Sequence, residues 1–196
     1  MIPRSWKIPG TVLTVPERDG ALVEAQFRAM FLPGGMALSQ VSAITGLDGY
    51  MIQNWVKRGF LTKPENKRYS LRQLCRIINI NMLRGALPIE RICGLLGYVN
   101  GHLDDESDDM IDDSHLYFMF VRLATRSREL YQTQNREAVL DEELDDYQEP
   151  VPGAKEKVKE VLRIMLTAWL ATRMAQETER MLTSLRDAEE MAENMK

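Results

Sequence analysis

The stretch LSQVSAITGLDGYMIQNWVKRGFL, from Leu38 to Leu61, decides how this chain is expected to fold. Apolar residues recur at helical spacing before Gly46 and again after Asp48, whose carboxylate can cap a helix by accepting hydrogen bonds from free amide groups. Gly46 and Gly59 can take the left-handed conformation that ends a helix. The stretch therefore predicts two short helices joined by a tight turn, at residues 38–45 and about 49–58.

The second of these helices has two faces of different chemistry. The apolar face is expected to pack against the first helix and consists of Ile52, Trp55 and Val56. The opposite face carries Tyr50, Gln53, Asn54 and Lys57. Gln and Asn can hydrogen-bond adenine bidentately in the major groove, Lys can meet guanine or phosphate, and Tyr can reach phosphate or a thymine methyl group. This face favours DNA readout, although any exposed amphipathic helix also has a polar side.

The context of the helix strengthens the DNA interpretation. The following residues, LTKPENKRY, combine the turn formers Pro64, Glu65 and Asn66 with Lys63, Lys67 and Arg68. Strand-capable pieces flank this turn at residues 60–62 and 68–69. We therefore predict a small basic β wing that grips the phosphate backbone beside the recognition helix.

Charge is divided unevenly along the 196 residues, whose formal net charge is −4. Residues 36–100 contain nine Lys or Arg against three Asp or Glu, and residues 101–149 contain four Arg against fifteen Asp or Glu. A net charge of about +6 on the first segment is the electrostatic footprint of a nucleic-acid binder. The acidic segment, residues 101–113, is expected to be a solvated linker or loop because its like charges repel one another.

Further helices are predicted along the whole chain. Ser70 and Gln73 form a capping-box pattern at the start of one helix, and Pro88 suits the first turn of the next. The aromatic run Tyr117, Phe118 and Phe120 is expected to pack in a core or a dimer interface rather than to line an effector pocket. Helices are expected at about 19–31, 71–84, from 88 to about 97, 114–137 and 154–193. The last would be roughly 60 Å long, which suggests packing against a second chain.

Residues 38–96 resemble the winged helix-turn-helix of the MerR family of transcription regulators, through ITGLDGYMIQNWVKRGFL, KRYS and GALPIERICGLL. More narrowly, IPRSWKIPG, MIQNWVKRGFL and KRYSLRQL resemble the bacterial family DUF1836, over about Ile2 to Leu123. The chain has Gln53, Asn54 and Trp55 where MerR-type proteins usually carry an arginine followed by two aromatic residues.

The resemblance implies a mainly α fold with a MerR-like winged helix-turn-helix and a small β wing, followed by a helical C-terminal region. The corresponding division is an N-terminal extension with one helix (1–35), the winged helix-turn-helix (36–100), the acidic linker (101–113) and a helical dimerisation or regulatory region (114–196). It also implies a homodimer on a near-palindromic operator in double-stranded DNA. The expected DNA contacts are Ser39, Gln40, Gly49, Tyr50, Gln53, Asn54, Lys57, Arg58, Lys63, Lys67, Arg68 and Tyr69.

Other chemistry has little support in the sequence. Motifs for nucleophilic, phosphate-binding or zinc-protease catalysis are missing, so we expect no enzyme activity and no cofactor. His102 and His115 flank the acidic segment, but its spacing lacks a calcium-loop glycine, and we expect no metal site. Cys75 and Cys93 are read as buried thiols in a reducing compartment. With no signal peptide or membrane-spanning run, the protein is expected to be cytoplasmic.

Two function classes follow. In the first, the protein is a dimeric, sequence-specific transcription regulator, for which an unidentified effector is possible but not required; an excisionase-like architectural DNA binder is a variant of it. In the second, it is a helical adaptor whose long C-terminal helix binds a protein partner without DNA readout.

Overall fold

The computed structural model describes residues 5–126, 130 and 135–194, with side chains up to residue 187 in the last helix. This part of the chain is mainly helical and includes two antiparallel two-stranded sheets, β1–β2 and β3–β4. The strands are β1 (Trp6–Lys7), β2 (Thr14–Val15), β3 (Met36–Ala37) and β4 (Arg68–Tyr69). The helices are α1 (Gly20–Met30), α2 (Leu38–Thr45), α3 (Gly49–Lys57), α4 (Leu71–Leu83), α5 (Ile89–Asn100), α6 (Asp113–Thr125), α7 (Arg136–Glu143) and α8 (Ala154–Asn194).

The local signals for α2, α3 and α4 are confirmed by the backbone and its caps. Gly46 ends α2 with φ +71°, and Oδ1 of Asp48 accepts a hydrogen bond from the amide of Tyr50 at 2.8 Å. At the start of α4, Oε1 of Gln73 accepts a hydrogen bond from the amide of Ser70 at 2.9 Å, and Oγ of Ser70 accepts one from the amide of Gln73 at 3.1 Å. These bonds satisfy amides that a helix start otherwise leaves unpaired.

The predicted wing, a hairpin between residues 60–62 and 68–69, is wrong about which strands pair. Strand β4 pairs with β3, which precedes α2, and residues 60–62 form no strand. They instead wrap around the end of α3: the amide of Phe60 donates to the carbonyl of Trp55 at 2.9 Å, and Leu61 is buried. What remains of the wing is a tight turn in which the amide of Arg68 donates to the carbonyl of Glu65 at 2.7 Å. Positive φ angles at Asn66 and Lys67, +48° and +62°, match a type I′ turn.

Helix α6 lies at the centre of the hydrophobic core. Tyr117, Phe118 and Phe120 are fully buried, so the aromatic run packs in the core of the chain itself. Phe120 meets Trp169 of α8 edge to face, with ring centroids 5.6 Å apart. The predicted helix 114–137 is interrupted in the structure, because α6 ends at Thr125; Leu130 is again helical, and α7 covers Arg136–Glu143. Residues 127–129 and 131–134 lie outside the described part.

The N-terminal region contains the hairpin β1–β2, which sequence analysis did not predict. Side chains from α4 and α6 hold the loop of this hairpin. From α4, Nδ2 of Asn81 donates to the carbonyl of Gly10 in the loop at 2.9 Å and to the carbonyl of Thr45 in α2 at 3.0 Å. The phenol of Tyr117 donates to the carbonyl of Pro9 at 2.9 Å. The hairpin therefore connects α2, α4 and α6.

The acidic segment is not wholly a solvated loop. Its second half is docked, with the amide of Met110 donating to the carbonyl of Val99 at 2.8 Å and Ile111 buried. Asp113 is buried beside the guanidinium of Arg76, with Nη1 and Oδ2 3.2 Å apart. Burial raises the pKa of Asp113, and Arg76 opposes this rise. The negatively charged carboxylates of this segment can pack here because Arg72 and Arg76 of α4 form ion pairs with them.

Helix α8 matches the predicted 154–193 to within one residue at its end. Its first half packs against α4, α5, α6 and α7. From Ala171 onward its described side chains are mostly exposed. Within the described residues, no helix combines the length and the apolar composition that crossing a bilayer requires.

Candidate nucleic-acid interface

Helix α3 shows the predicted separation of apolar and polar side chains. Ile52 and Trp55 are 0% and 5% exposed and pack in the core. On the other side, Tyr50 is 78% exposed, and Gln53 and Lys57 are exposed as well. Val56 and Asn54 are half-buried, so they contribute less to either face. We call Tyr50, Gln53, Asn54 and Lys57 the reading face.

The start of α3 lies against α2. A Cβ at Gly49 would lie 3.1 Å from Cδ2 of Leu38, which leaves little room for a larger residue. Ser39 and Gln40 are exposed at the N-terminus of α2. The side-chain carbonyl of Gln40 already accepts a hydrogen bond from the amide of Ala37, at 2.9 Å. Gln40 therefore helps to cap α2, whatever else it contacts.

The basic turn, residues 63–68, lies beyond the C-terminal end of α3. Lys63, Lys67 and Arg68 are exposed, and Nη1 of Arg68 donates to the carbonyl of Gly35 at 3.3 Å. Tyr69 is different from the other predicted contacts because it is only 3% exposed. Burial raises the pKa of its phenol. The side chain of Tyr69 thus belongs to the core and not to the surface that could meet DNA.

Arg58, another predicted contact, is engaged by neighbouring groups. Its Nη2 lies 2.6 Å from Oε1 of Glu90 in α5, and its guanidinium lies over the ring of Phe60, 4.5 Å from the centroid. A hydrogen bond from the backbone and then one from Arg58 lower the pKa of Glu90. Both side chains are exposed, so this ion pair is a weak one.

A cleft of about 1130 Å³ lies between the end of α3, the basic turn, the start of α4 and the acidic segment. Its lining includes Lys63 and Arg68 from the turn, together with Arg72 of α4. Asp104 and Glu106 of the acidic segment line it as well. Sequence reasoning missed Arg72. The signal that could have found it is its position two residues after the Ser70 cap, next to the basic turn.

Most carboxylates of the acidic segment have partners within the protein, as Asp105 and Asp108 show. Oδ1 of Asp105 accepts hydrogen bonds from both the amide and the hydroxyl of Ser107, and the pKa of Asp105 is lowered as a result. Asp108 accepts from the amide and ring of His102, which lowers its pKa and raises that of His102. Across the described residues, no group of three His, Cys, Asp or Glu side chains could hold a metal ion.

These features define a mainly helical protein that exposes a polar helix face next to a basic turn. Residues 36–120 match a family described as "Domain of unknown function (DUF1836)". The match runs from β3 into α6, and therefore includes the reading face, the basic turn and the acidic segment. It bears out the predicted DUF1836 likeness over these residues, although that prediction began at Ile2. Searches of curated proteins and of solved structures gave no match, and nothing in the comparisons points to MerR regulators.

Proposed function

We propose that this protein is a sequence-specific, double-stranded DNA-binding transcription regulator, in which α2 and α3 form a helix-turn-helix. The observation that carries the proposal is the position of the reading face: it is exposed on α3, opposite a buried apolar face, and the basic turn follows directly. A short helix that holds its polar face outward fits the width of the major groove.

The two parts have separate roles in this proposal. Tyr50, Gln53 and Lys57 have helical spacing that places them on one side of α3, where they contact base edges and adjacent phosphates. Lys63, Lys67 and Arg68 bind the backbone and fix the register of the helix, as a wing does in a winged helix. Tyr69 is left out because its side chain is buried.

We further propose that the protein acts as a homodimer through the exposed half of α8. Among the side chains described on this half, the large apolar ones that are exposed are Met174, Met181, Leu182 and Leu185, here called the exposed stripe. Their spacing places them on one side of the helix. Two copies joined in this way would present two reading faces to a two-fold symmetric site.

Selection from genomic DNA fragments tests the first proposal. We expect the purified protein to enrich a discrete sequence, and its affinity to fall steeply as salt rises from 50 to 200 mM, because bound phosphates release counterions. Retention of fragments without any common sequence would leave only an architectural role. No binding at low salt would refute DNA binding altogether.

Replacing Gln53, Asn54 and Lys57 with Ala tests the reading face. We expect the triple variant to lose at least tenfold in affinity for the selected sequence, since each lost base contact costs about 1–3 kcal/mol. Lys7 and Gln148 are exposed and distant in sequence, and their replacement with Ala is the control. Circular dichroism should show the same helix content for both variants. Equal affinities of variant and control would contradict the assignment.

The helical adaptor is the second candidate, and the exposed stripe is the observation that favours it. An adaptor would retain function when the reading face is replaced with Ala and would lose it when the stripe is changed. A regulator of the proposed kind needs both surfaces.

A further inference from the structure

Arg72 lies on the wall of the cleft next to the basic turn, but two carboxylates of the acidic segment hold its guanidinium. Nη1 lies 2.9 Å from Oε1 of Glu106, and Nη2 lies 2.8 Å from Oδ2 of Asp109. Glu106 is 79% exposed, whereas Asp109 is almost buried. A cation that could meet a DNA phosphate is thus neutralised within the chain.

The acidic segment is fixed in this position. Asp105 and Asp108 close local turns with Ser107 and His102. Nδ2 of Asn100 donates to the carbonyl of Ile111, and the phenol of Tyr147 donates to the carbonyl of Met110 at 2.5 Å. Because the loop is held at both ends, its carboxylates stay at the cleft. A mobile linker would not keep them there.

The position of these carboxylates has an electrostatic consequence. Phosphates that bind Lys63 and Arg68 would lie at the cleft that Asp104 and Glu106 also line. Exposed charges interact over a Debye length of about 8–10 Å at physiological salt. The segment therefore opposes DNA in two ways: it repels phosphate, and it occupies Arg72.

We propose that the acidic segment is a built-in competitor of DNA, which imitates the phosphate backbone at Arg72 and lowers the affinity of the reading face and basic turn. This inference rests on the proposed DNA-binding function. It adds Arg72 as a phosphate-binding residue that becomes available when the carboxylates are displaced or neutralised.

Neutralising the two carboxylates that hold Arg72 tests the inference. We expect the double variant Glu106→Gln/Asp109→Asn to bind double-stranded DNA about fivefold or more tightly than wild type near 0.1 M salt. One added phosphate contact should steepen the logarithmic salt dependence by about 0.9. Glu17→Gln/Glu156→Gln is the control, because it changes the net charge equally at exposed positions that do not line the cleft. The control should change affinity less than twofold.

Arg72→Gln distinguishes release of Arg72 from a general change in charge. In the wild-type background this substitution should alter DNA affinity little, because Arg72 is already paired. In the double-variant background it should remove most of the gain. A double variant that binds no more tightly than the control would overturn the inference while leaving DNA binding in place. If no form binds DNA at low salt, the inference fails together with the proposed function.

Discussion

At the residue scale, Asp109 is a carboxylate whose environment disfavours its charged form. Its side chain is 9% exposed, and among the described residues no donor reaches its buried Oδ1. Burial raises its pKa from 3.8 to about 6; Arg72 opposes the rise, and Asp113, Asp108 and Glu106 add to it. The folded protein therefore holds a proton on Asp109 at pH values where the unfolded chain has released it.

This difference predicts a pH-dependent stability. Because the folded pKa is raised, the free energy of unfolding should fall as pH rises from about 4 to 6, and Asp109→Asn should avoid this loss. A difference of about two pH units corresponds to about 3 kcal/mol. Urea unfolding at pH 4, 5, 6 and 7 should show the variant gaining stability relative to wild type over this range.

Asp105→Asn is the control for this experiment. Hydrogen bonds from Ser107 lower the pKa of Asp105, so its stabilising effect is present at neutral pH and lost as pH falls through the folded pKa. Because this change lies below about pH 4, the difference in free energy of unfolding between Asp105→Asn and wild type should stay nearly constant from pH 4 to 7. Parallel curves for wild type and Asp109→Asn would show that Asp109 ionises normally.

At the element scale, glycines act in two different ways. Gly46 ends α2 with φ +71°, and a Cβ there would lie 2.5 Å from Cγ1 of Val12. Gly94 lies inside α5 with a helical backbone, and a Cβ there would meet no atom within 4 Å. The same substitution should thus have opposite effects at the two positions.

Gly46→Ala should lower the free energy of unfolding by about 1–2 kcal/mol, since a side chain in the left-handed region is strained. Gly94→Ala should raise it by about 0.5–1 kcal/mol, because alanine loses less conformational entropy in a helix. Urea unfolding of the two variants side by side measures both effects. If Gly46→Ala were as stable as wild type, the turn between α2 and α3 would not depend on the left-handed backbone of Gly46.

These examples show which elements can be predicted from sequence. The ends of α2, α3 and α4 depend on contacts within four residues, such as Asp48 with Tyr50, and sequence reasoning found them. The pairing of β3 with β4 joins residues more than thirty positions apart, and a two-residue strand leaves no pattern by which to recognise it. The burial of Tyr69 follows from that pairing and could not be read locally.

At the scale of the whole molecule, contacts distant in sequence bind the reading face to the rest of the chain. Asn81 joins the N-terminal hairpin to the end of α2, and Arg76 joins α4 to Asp113 of α6. The hydrophobic core accordingly forms one cluster from Trp6 to Leu170. Composition and charge predicted a basic part and an acidic part, but could not show that the two share a core and a cleft.

The exposed half of α8 leads to the last prediction. Met181 and Leu185 are 62% and 63% exposed, and a helix with apolar residues exposed at this spacing gains stability by pairing. We expect wild type to sediment at twice the 22.5 kDa chain mass and Met181→Glu/Leu185→Glu to sediment as a monomer with unchanged circular dichroism. Gln176→Glu/Thr183→Glu places the same charges on the other side of the helix and should remain dimeric. A monomeric wild type at micromolar concentration would contradict the dimer and would leave the exposed stripe to a different partner, as the adaptor hypothesis requires.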